Sequence, residues 1–429
     1  MDKIVNESKY KLRIIDSVIE RNLKIFGAIC IEGPKWCGKT WTSSYHAQSE
    51  FLVGDPTGNF SNRMLAQIEP FSVLNGKKPR LIDEYQEVPS LWDATRAYVD
   101  KSNEKGQIIL TGSSTPKTKG VMHSGTGRIK SIRMNTMSLF ESKNSTGAIS
   151  LEDLYFGKFE TQILNDTTLE ELAYLIVRGG WPGNLETSKE DCGLLAQSYM
   201  ENILKADLRS LDDEIEYNSQ KAKLILKSLA RNESTTVSNN TILKDIIEND
   251  SSSISKNTLV KYLDAFNRLF LLNNIEPFSP NVRSSLRVKQ SEKRHFSDPA
   301  MACAVLNLNP SKLMKDLNTF DFLFEAMVER DLSIYAQSLD AKIYHYQDYK
   351  DNEIDSIIEF KDGSWCAIEI KLGINKAEEA SNNLTKVCNE IFLASGQKPI
   401  FKSVIYGSGN LAFKDKNGVY IFPITALKN

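Results

Sequence analysis

The first third of the chain alternates between two hydrophobic patterns. The first pattern is the spacing of apolar residues on one face of a helix, shown by Leu12, Ile15, Val18 and Ile19. The next segment, 25–32, is almost continuously apolar, which is typical of a strand buried on both faces of a parallel sheet. Short apolar runs recur at 80–82 and 107–110, and the polar run 41–48 suits a helix. These patterns predict an α/β domain with a doubly wound parallel sheet.

The middle of the chain predicts helices and then a small sheet. Apolar spacing indicates helices at 167–177 and 191–208, with the sequence RGGWPG breaking the pattern between them. Three more helices follow with short loops, at 221–231, 240–249 and 256–272. The strand-like LLNNIEPF and the basic hairpin NVRSSLRVKQSEKRHF come next. This order of elements is typical of a winged helix-turn-helix.

The last third predicts a small α/β unit. Residues 320–336 have the pattern of an amphipathic helix, and strands are expected at 342–346, 353–358 and 365–371. The polar turn at 361–364 joins the last two strands into a hairpin.

Composition and charge narrow the class of protein. The 429 residues suit about two to four domains, and 41% hydrophobic with 25% charged residues exclude a collagen-like or globally disordered chain. The formal net charge of -2 indicates no overall basic surface for nucleic acid. Residues 216–298 differ from the rest of the chain in net charge. With 13 Lys+Arg and 9 Asp+Glu, this segment has a formal net charge of +4, and the remaining residues have a net charge of -6.

Cysteine spacing and hydropathy bear on the compartment. The six cysteines are far apart with no CxxC pair, which argues against a zinc knuckle or a disulfide framework and favours a reducing compartment. No apolar run approaches the ~18 residues that a membrane helix requires. We expect a soluble, cytoplasmic protein without a membrane partner. The four histidines are isolated, and none is assigned to a metal.

The most specific motif is a phosphate-binding loop. Residues 33–40, GPKWCGKT, match G-x4-GK-[ST] between a predicted strand and a predicted helix. In such a loop backbone N–H groups surround the phosphates, the lysine reaches the β- and γ-phosphates, and the threonine hydroxyl ligates Mg2+. We predict that ATP and Mg2+ bind here. The binding residues are Gly33, Pro34, Lys35, Trp36, Cys37, Gly38, Lys39 and Thr40.

Two later strands end in polar residues that would face this loop. Asp83 is expected to hold the hydration shell of Mg2+, and Glu84 to orient or polarise the attacking water. Thr111 or Ser113 would sense the γ-phosphate, although a simple turn would show the same residues. Arg128, in GTGR, is a candidate finger that neutralises the transferring phosphoryl group, either within its own chain or across a subunit interface. A surface arginine beside a turn is the alternative.

Four polar residues near the C-terminal end have the spacing of a second site. Asp355, Glu369 and Lys371 match D-(x13)-E-x-K of the PD-(D/E)xK nuclease fold, and Glu325 adds the acidic helix residue. In that chemistry Asp355 and Glu369 bind Mg2+, Glu325 completes the outer coordination, and Lys371 activates or positions the attacking water. The E-x-K motif alone is frequent on exposed strands, and such a domain can also bind nucleic acid without cleaving it.

The winged-helix region carries the candidate DNA surface. Lys256, Asn257 and Lys261 would face a major groove. The basic wing would lie along phosphates through Arg283, Arg287, Lys289, Lys293 and Arg294. Winged helices also serve as protein docking modules, so a protein partner stays an alternative.

The motifs GPKWCGKT, LIDE, ILTGSS, GTGRI and RGGWP resemble, in this order, a large prokaryotic family of AAA-superfamily ATPases. The resemblance is to those members whose C-terminal domain, of formerly unknown function, has a nuclease-like core. It implies an AAA-type P-loop ATPase domain at 1–165, a helical lid and linker at 166–215, a winged helix at 216–298 and a PD-(D/E)xK nuclease-like domain at 299–429. In the lid, a structural role is expected for Trp181 and Pro182.

Three hypotheses for the function follow. The first is an ATPase that couples its nucleotide state to binding of double-stranded DNA or a partner by the C-terminal half. The second is an ATP-switched regulator that binds a protein and whose nuclease-like domain is inactive. The third is an ATP-dependent DNA nuclease. A homo-oligomer is expected if Arg128 acts across an interface.

Overall fold

The computed structural model describes residues 4–115, 124–211, 217–280, 291–350 and 352–429. The chain divides into two compact units. The first consists of Met1–Thr136, Asp207–Glu216 and Ala265–Leu271, and the second of Met137–Ala206, Tyr217–Asp264 and Leu272–Asn429. The four-part division expected from the sequence stays a prediction.

The first unit is built around a parallel sheet. Its strands are β1 Ala28–Glu32, β2 Ser49–Leu52, β3 Arg80–Asp83, β4 Ile108–Gly112 and β5 Ile129–Arg133. Among the described residues these form one sheet in the order β2-β3-β4-β1-β5, with every neighbouring pair parallel. The predicted α/β parallel sheet is therefore confirmed, and the carboxyl ends of its strands meet at one edge.

Helices cover this sheet because its central strands are apolar on both faces. One face packs Cys30, Ile82 and Leu110 against Leu91 and Ala94. The other face packs Ile29, Ile31 and Ile109 against Ile15 and Ile19. The helices of the unit are Ile15–Ile25, Lys39–His46, Thr57–Ile68, Pro70–Val73, Ser90–Ser102 and the short Leu208–Ser210.

In the part of the chain that the structure describes, the second unit contains a larger mixed sheet and a separate pair of parallel strands. Its strands are β6 Ile149–Ser150, β7 Gln162–Ile163, β8 Lys342–Gln347, β9 Glu353–Glu359, β10 Trp365–Gly373, β11 Lys402–Ser408, β12 Leu411–Lys414, β13 Tyr420–Pro423 and β14 Leu427–Lys428. In the described part of the chain the larger sheet has the order β7-β12-β13-β11-β10-β9-β8. Strand β10 pairs antiparallel with β9 and parallel with β11. Strand β10 is therefore an interior strand of this sheet.

The helices of the second unit are Leu151–Tyr155, Leu169–Arg178, Leu194–Asn202, Ser219–Arg231, Asn239–Asp250, Pro299–Val305, Pro310–Leu313, Leu317–Ser338 and Ala377–Ser395. Two further helical segments, Ile203–Asp207 and Lys256–Arg268, run across the division between the units. The predicted helix 320–336 is confirmed and is longer at both ends. The helix predicted at 256–272 ends earlier, at Arg268. No described helix is long and apolar enough to cross a membrane.

The RGGWP segment is a buried structural turn of the second unit. Trp181 is 0% exposed. The Gly180 N–H donates to Asp298 Oδ2 at 2.9 Å, and the buried Arg330 guanidinium binds the same carboxylate at 3.1 Å. The contacts agree with the structural role expected for this turn.

Candidate functional site

The loop Gly33–Thr40 connects β1 to the helix Lys39–His46 and needs glycine at two positions. Gly38 has a φ of 106°, in the left-handed region that favours glycine. A Cβ atom on Gly33 would lie 2.1 Å from the carbonyl oxygen of Met134, so a larger residue would displace backbone. The glycines of the motif therefore shape the loop before any ligand is considered.

Lys39 and Thr40 lie on the first turn of the helix that follows the loop. Lys39 is 4% exposed, and its ammonium donates to the carbonyl oxygens of Gly33 and Pro34, at 2.9 Å each. The Thr40 hydroxyl donates to Asp83 Oδ1 at 2.9 Å. The structure therefore brings the loop hydroxyl and the carboxylate of β3 into direct contact, as the two motifs predict.

The ends of β3 and β4 form one hydrogen-bond network. The Thr111 hydroxyl donates to Asp83 Oδ1 at 2.6 Å and accepts from the Glu84 N–H at 3.0 Å. The Ser113 hydroxyl donates to Glu84 Oε2 at 2.8 Å, and the Gln86 side chain contacts the same oxygen. Burial raises the pKa of Asp83, and hydrogen bonds from Thr111 and Thr40 oppose this rise. Thr111 thus holds the first carboxylate, and Ser113 holds the second.

A support that the sequence did not reveal comes from Arg13. Its buried guanidinium donates to the carbonyl oxygen of Cys37 at 2.9 Å and to that of Asn135 at 2.9 Å. Arg13 lies outside every motif, and only a tertiary contact shows its relation to the loop.

The remaining loop residues differ in exposure. Lys35 forms an ion pair with Asp207 at 2.6 Å, Trp36 is 58% exposed, and Cys37 is buried. Because Cys37 is buried in the core of the sheet, it is a packing residue of the loop.

Arg128 lies at the opposite edge of the sheet from the loop. It immediately precedes β5, whose first residue pairs with Ala28 at the start of the parallel strand β1. Its guanidinium is half-exposed and binds Asp100 at 2.7 Å. One strand length, roughly 13 Å for five residues, separates this edge from the loop. Arg128 therefore does not lie beside the loop of its own chain in this structure, and its role as a finger, in cis or across a subunit interface, stays a prediction.

The second predicted site comes together in the other unit. The antiparallel register of β9 and β10 pairs Ile368 with Ser356 and so places Glu369 beside Asp355. The Lys371 ammonium lies 3.2 Å from Asp355 Oδ2 and 3.1 Å from Glu369 Oε1. Burial, with Asp355 nearby, raises the pKa of Glu369 to about 8. The hairpin argument from the sequence thus placed these three side chains correctly.

Glu325 has a different partner from the one expected. Its carboxylate contacts the ammonium of Lys293, which also lies 2.9 Å from Glu329 Oε1 and 3.1 Å from the carbonyl oxygen of Asp355. Lys293 is 1% exposed. The prediction that Lys293 lies along DNA phosphates as part of the wing is therefore wrong, because its charge is directed into the protein.

The carboxylates continue into a buried network that sequence reasoning missed. His295 lies 2.9 Å from Glu329 Oε2 and 3.2 Å from Glu233 Oε1. Burial alone would lower the pKa of His295, but Glu329 and Glu233 outweigh it and raise this pKa to about 9. The signal was present, since Glu329 follows Glu325 by one helical turn and His295 alternates with Lys293. We refer to these side chains together as the charge cluster: Glu233, Lys293, His295, Glu325, Glu329, Asp355, Glu369 and Lys371.

The described residues do not provide the metal site predicted for the charge cluster. Among them no group of three or more His, Cys, Asp or Glu side chains is arranged to hold a metal ion. Two ammonium groups instead engage the carboxylates that Mg2+ would need. Mg2+ therefore does not fit this arrangement of Glu325, Asp355 and Glu369.

The segment 216–298, which the sequence predicts to be a winged helix, contributes to a small cavity lined by polar residues. Lys256, Asn257 and Lys261 are exposed, as expected for a binding face. Isolated bridges join Thr235 to Arg294 and Ile275 to Lys293. A cavity of about 290 Å³ is lined by Ser238, Asn239, Asn240, Lys256, Ser291, Glu292 and Arg294. The predicted wing residues Arg283, Arg287 and Lys289 lie outside the described residues.

The fold and the first site define a class. A parallel sheet carries a G-x4-GK-T loop after β1 and a carboxylate pair after β3, with the threonine and the first carboxylate in contact. These features are those of a P-loop nucleotide-binding domain.

Comparison with known families supports this class. The AAA domain family matches residues 26–143. Two domains of unknown function, DUF8612 and DUF4143, match residues 169–312 and 320–427. The chain therefore contains an ATP-binding P-loop domain of the AAA type, and this similarity supports ATPase activity. The matches to the rest of the chain assign no function.

Solved structures and curated proteins add little to this assignment. The Walker-type ATPase PABY2304 of Pyrococcus abyssi is 12% identical, with 71% of this chain and 98% of that chain covered and a TM-score of 0.41. The Orc1 protein of Aeropyrum pernix, solved in complex with DNA, is 13% identical, with 69% and 93% covered and a TM-score of 0.27. Because both TM-scores are low, these two structures add nothing to the class, which rests on the site and on the AAA family match. No curated protein matches the sequence.

Proposed function

We propose that this protein is a Mg2+-dependent ATPase that couples its nucleotide state to binding of DNA or a protein partner by its C-terminal half. The observation that carries the proposal is the contact of Thr40 with Asp83 beside Lys39. A hydroxyl and a carboxylate next to a lysine suit a magnesium ion bound with a triphosphate. The same arrangement would be unusual on a solvated strand end, because Asp83 and Lys39 are largely removed from water.

Each residue of the site would have a separate role. Lys39 would exchange the loop carbonyls for phosphate oxygens, and the loop N–H groups would bind the phosphates. Thr40 and Asp83 would hold the Mg2+, which neutralises charge on the phosphates when bound. Glu84, positioned by Ser113, would orient or polarise the attacking water. Thr111 would keep Asp83 in place and report the γ-phosphate through it.

Two substitutions test the ATPase proposal. Lys39→Ala should weaken ATP binding and reduce turnover roughly 100-fold or more, because it removes the charge directed at the phosphates. Glu84→Gln should still bind ATP and hydrolyse it slowly. Binding of a fluorescent ATP analogue and phosphate release give the two measurements.

Lys24→Ala is the matched control, since Lys24 is exposed on the neighbouring helix. Turnover by both Lys39→Ala and Glu84→Gln at the rate of this control would contradict the proposal.

DNA binding is proposed for the winged-helix region. Its support is the exposed Lys256 and Lys261 and the cavity beside Lys256 and Arg294, while the buried Lys293 does not add to the positive charge at the surface. Affinity for a labelled duplex should fall steeply as salt rises from about 50 to about 200 mM. Replacing Lys256 and Lys261 together by Ala should reduce the salt slope by about two, while Lys361→Ala, on an exposed turn, should not. Salt-insensitive binding of a protein, with no affinity for the duplex, would instead favour the ATP-switched regulator.

The domain division and assembly complete the proposal. We take 1–165 as the ATPase domain, 166–215 as lid and linker, 216–298 as the winged helix and 299–429 as the nuclease-like domain. A homo-oligomer would allow Arg128 to reach the phosphates of a neighbouring copy. We do not propose the nuclease function, because the ligands it needs are engaged by lysines.

A further inference from the structure

The centre of the nuclease-like arrangement already holds a positive charge. The Lys293 ammonium contacts Glu325, lies 2.9 Å from Glu329 Oε1 and lies 3.1 Å from the carbonyl oxygen of Asp355. Two carboxylates and a carbonyl oxygen are the ligand types that a divalent cation binds in proteins. The ammonium group therefore takes the coordination that a hard metal ion would take.

The backbone holds Lys293 in this place. Its N–H donates to the carbonyl oxygen of Ile275 at 2.9 Å, and the Ile275 N–H donates back at 3.0 Å. On the neighbouring segment the Phe278 N–H donates to the carbonyl oxygen of His345 at 2.7 Å. The side chain is thus delivered from a paired segment, and at 1% exposure it has no open path to solvent.

The other carboxylates also have hydrogen-bond or ion-pair partners within the protein. Lys371 bridges Asp355 and Glu369, while the Ile370 N–H donates to Asp355 Oδ2 at 2.7 Å. The Ser356 hydroxyl donates to Glu329 Oε1 at 2.9 Å. The buried Glu369 Oε2 has no hydrogen-bond partner within the described residues, but one such oxygen does not make a metal site.

We propose that Lys293 supplies the cation of the nuclease-like centre, so that this centre is a metal-independent charge cluster that stabilises the second unit and does not cleave DNA. Lys293 supplies positive charge beside Glu325, and Lys371 supplies it beside the carboxylates of Asp355 and Glu369. Displacing it would leave buried carboxylates without a partner, and this cost disfavours exchange for a metal.

A metal titration of the wild-type full chain tests the proposal without any variant. Mn2+ is added to nucleotide-free protein, and free Mn2+ is measured by electron paramagnetic resonance. We expect Glu369→Gln to bind as much Mn2+ as the wild type. Any Mn2+ bound at the nucleotide site would be lost in Asp83→Asn instead. One equivalent of Mn2+ that survives Asp83→Asn and disappears in Glu369→Gln would overturn the proposal.

A Lys293→Met variant tests the same idea through stability. Removing the ammonium should lower the midpoint of thermal unfolding by roughly 5–10 °C, because Glu325 and Glu329 lose their buried partner. Added Mn2+ should raise the midpoint of this variant more than it raises that of the wild type. Lys361→Met, an exposed lysine on the adjacent turn, should match the wild type in both measurements.

The double variant Lys293→Met/Glu325→Gln separates lost charge from lost packing. It should recover part of the stability, because one unpaired carboxylate is removed along with its partner. A Lys293→Met variant as stable as Lys361→Met would overturn the proposal. If Lys293→Met does not fold, the Mn2+ titration of the wild type still decides.

Discussion

The nucleotide site and the charge cluster are made from the same residue types and differ in what those residues face. At the nucleotide site Lys39 donates to backbone carbonyl oxygens. The carboxylates of this site, Asp83 and Glu84, accept hydrogen bonds from hydroxyl groups. In the charge cluster each lysine donates to carboxylates, and Lys293 is fully enclosed. A ligand such as phosphate or Mg2+ can replace a neutral hydrogen-bond partner. Oppositely charged side chains in contact already neutralise each other, so a ligand would have to break their ion pair. A motif of acids and lysines therefore signals ligand binding only where its charges are not already paired.

The comparison is tested most directly by making the same Asp→Asn substitution at the nucleotide site and in the charge cluster. Asp83→Asn should reduce ATP turnover roughly 100-fold and change stability little, because Asp83 is bonded by neutral hydroxyls. Asp355→Asn should leave turnover within about twofold and reduce the free energy of unfolding by about 3 kcal/mol, because Lys371 loses a buried partner. Phosphate release and thermal unfolding of both variants give the two readouts. Equal effects of the two substitutions on turnover would show that the distinction is false.

A smaller effect distinguishes the two regions by pH. His295 has a pKa raised to about 9, against an ordinary value near 6.5, so its contribution to stability is complete below pH ~6.5 and is lost as the pH rises through ~9. The charged groups facing it are Glu233, Glu329 and Lys293, and deprotonation leaves the two carboxylates with less positive charge. The loss should approach about 3 kcal/mol over this window.

Thermal unfolding between pH 6 and pH 9.5 measures this dependence. His295→Gln should be less stable at pH 6 and should flatten the profile. If the unfolding midpoint of His295→Gln depends on pH as steeply as that of the wild type, His295 is not the cause of the pH dependence.

The sequence predicts most of what depends on short-range pattern. The loop 33–40, the carboxylates Asp83 and Glu84, the parallel sheet and the hairpin that joins Asp355 to Glu369 could all be placed from spacing. Those features are set by residues close together in the chain or by strand period. The register of β9 and β10, for example, follows from a turn of fixed length.

The sequence does not predict which partner a long polar side chain selects. Lys293 and Arg294 are adjacent, and a basic hairpin on a surface was the natural interpretation of both. In the structure Lys293 is buried beside residues 32 and 36 positions further along, while Arg294 donates to Asn239 Oδ1 at 3.0 Å. Arg13 is a second example, because its two carbonyl partners belong to distant segments. The partners of these side chains depend on tertiary packing and are not indicated by any periodic pattern in the sequence.

The turn between β9 and β10 has a consequence for how this chain tolerates insertions. Phe360 and Ser364 close the turn with a hydrogen bond from the Phe360 N–H to the Ser364 carbonyl oxygen at 2.8 Å. Since side chains alternate along a strand, one residue added here would shift the pairing by one position and turn Glu369 away from Asp355. Every acidic and basic residue would still be present in the sequence, yet the cluster would not assemble. The number of residues in one short turn is therefore as necessary to this centre as the charges it brings together.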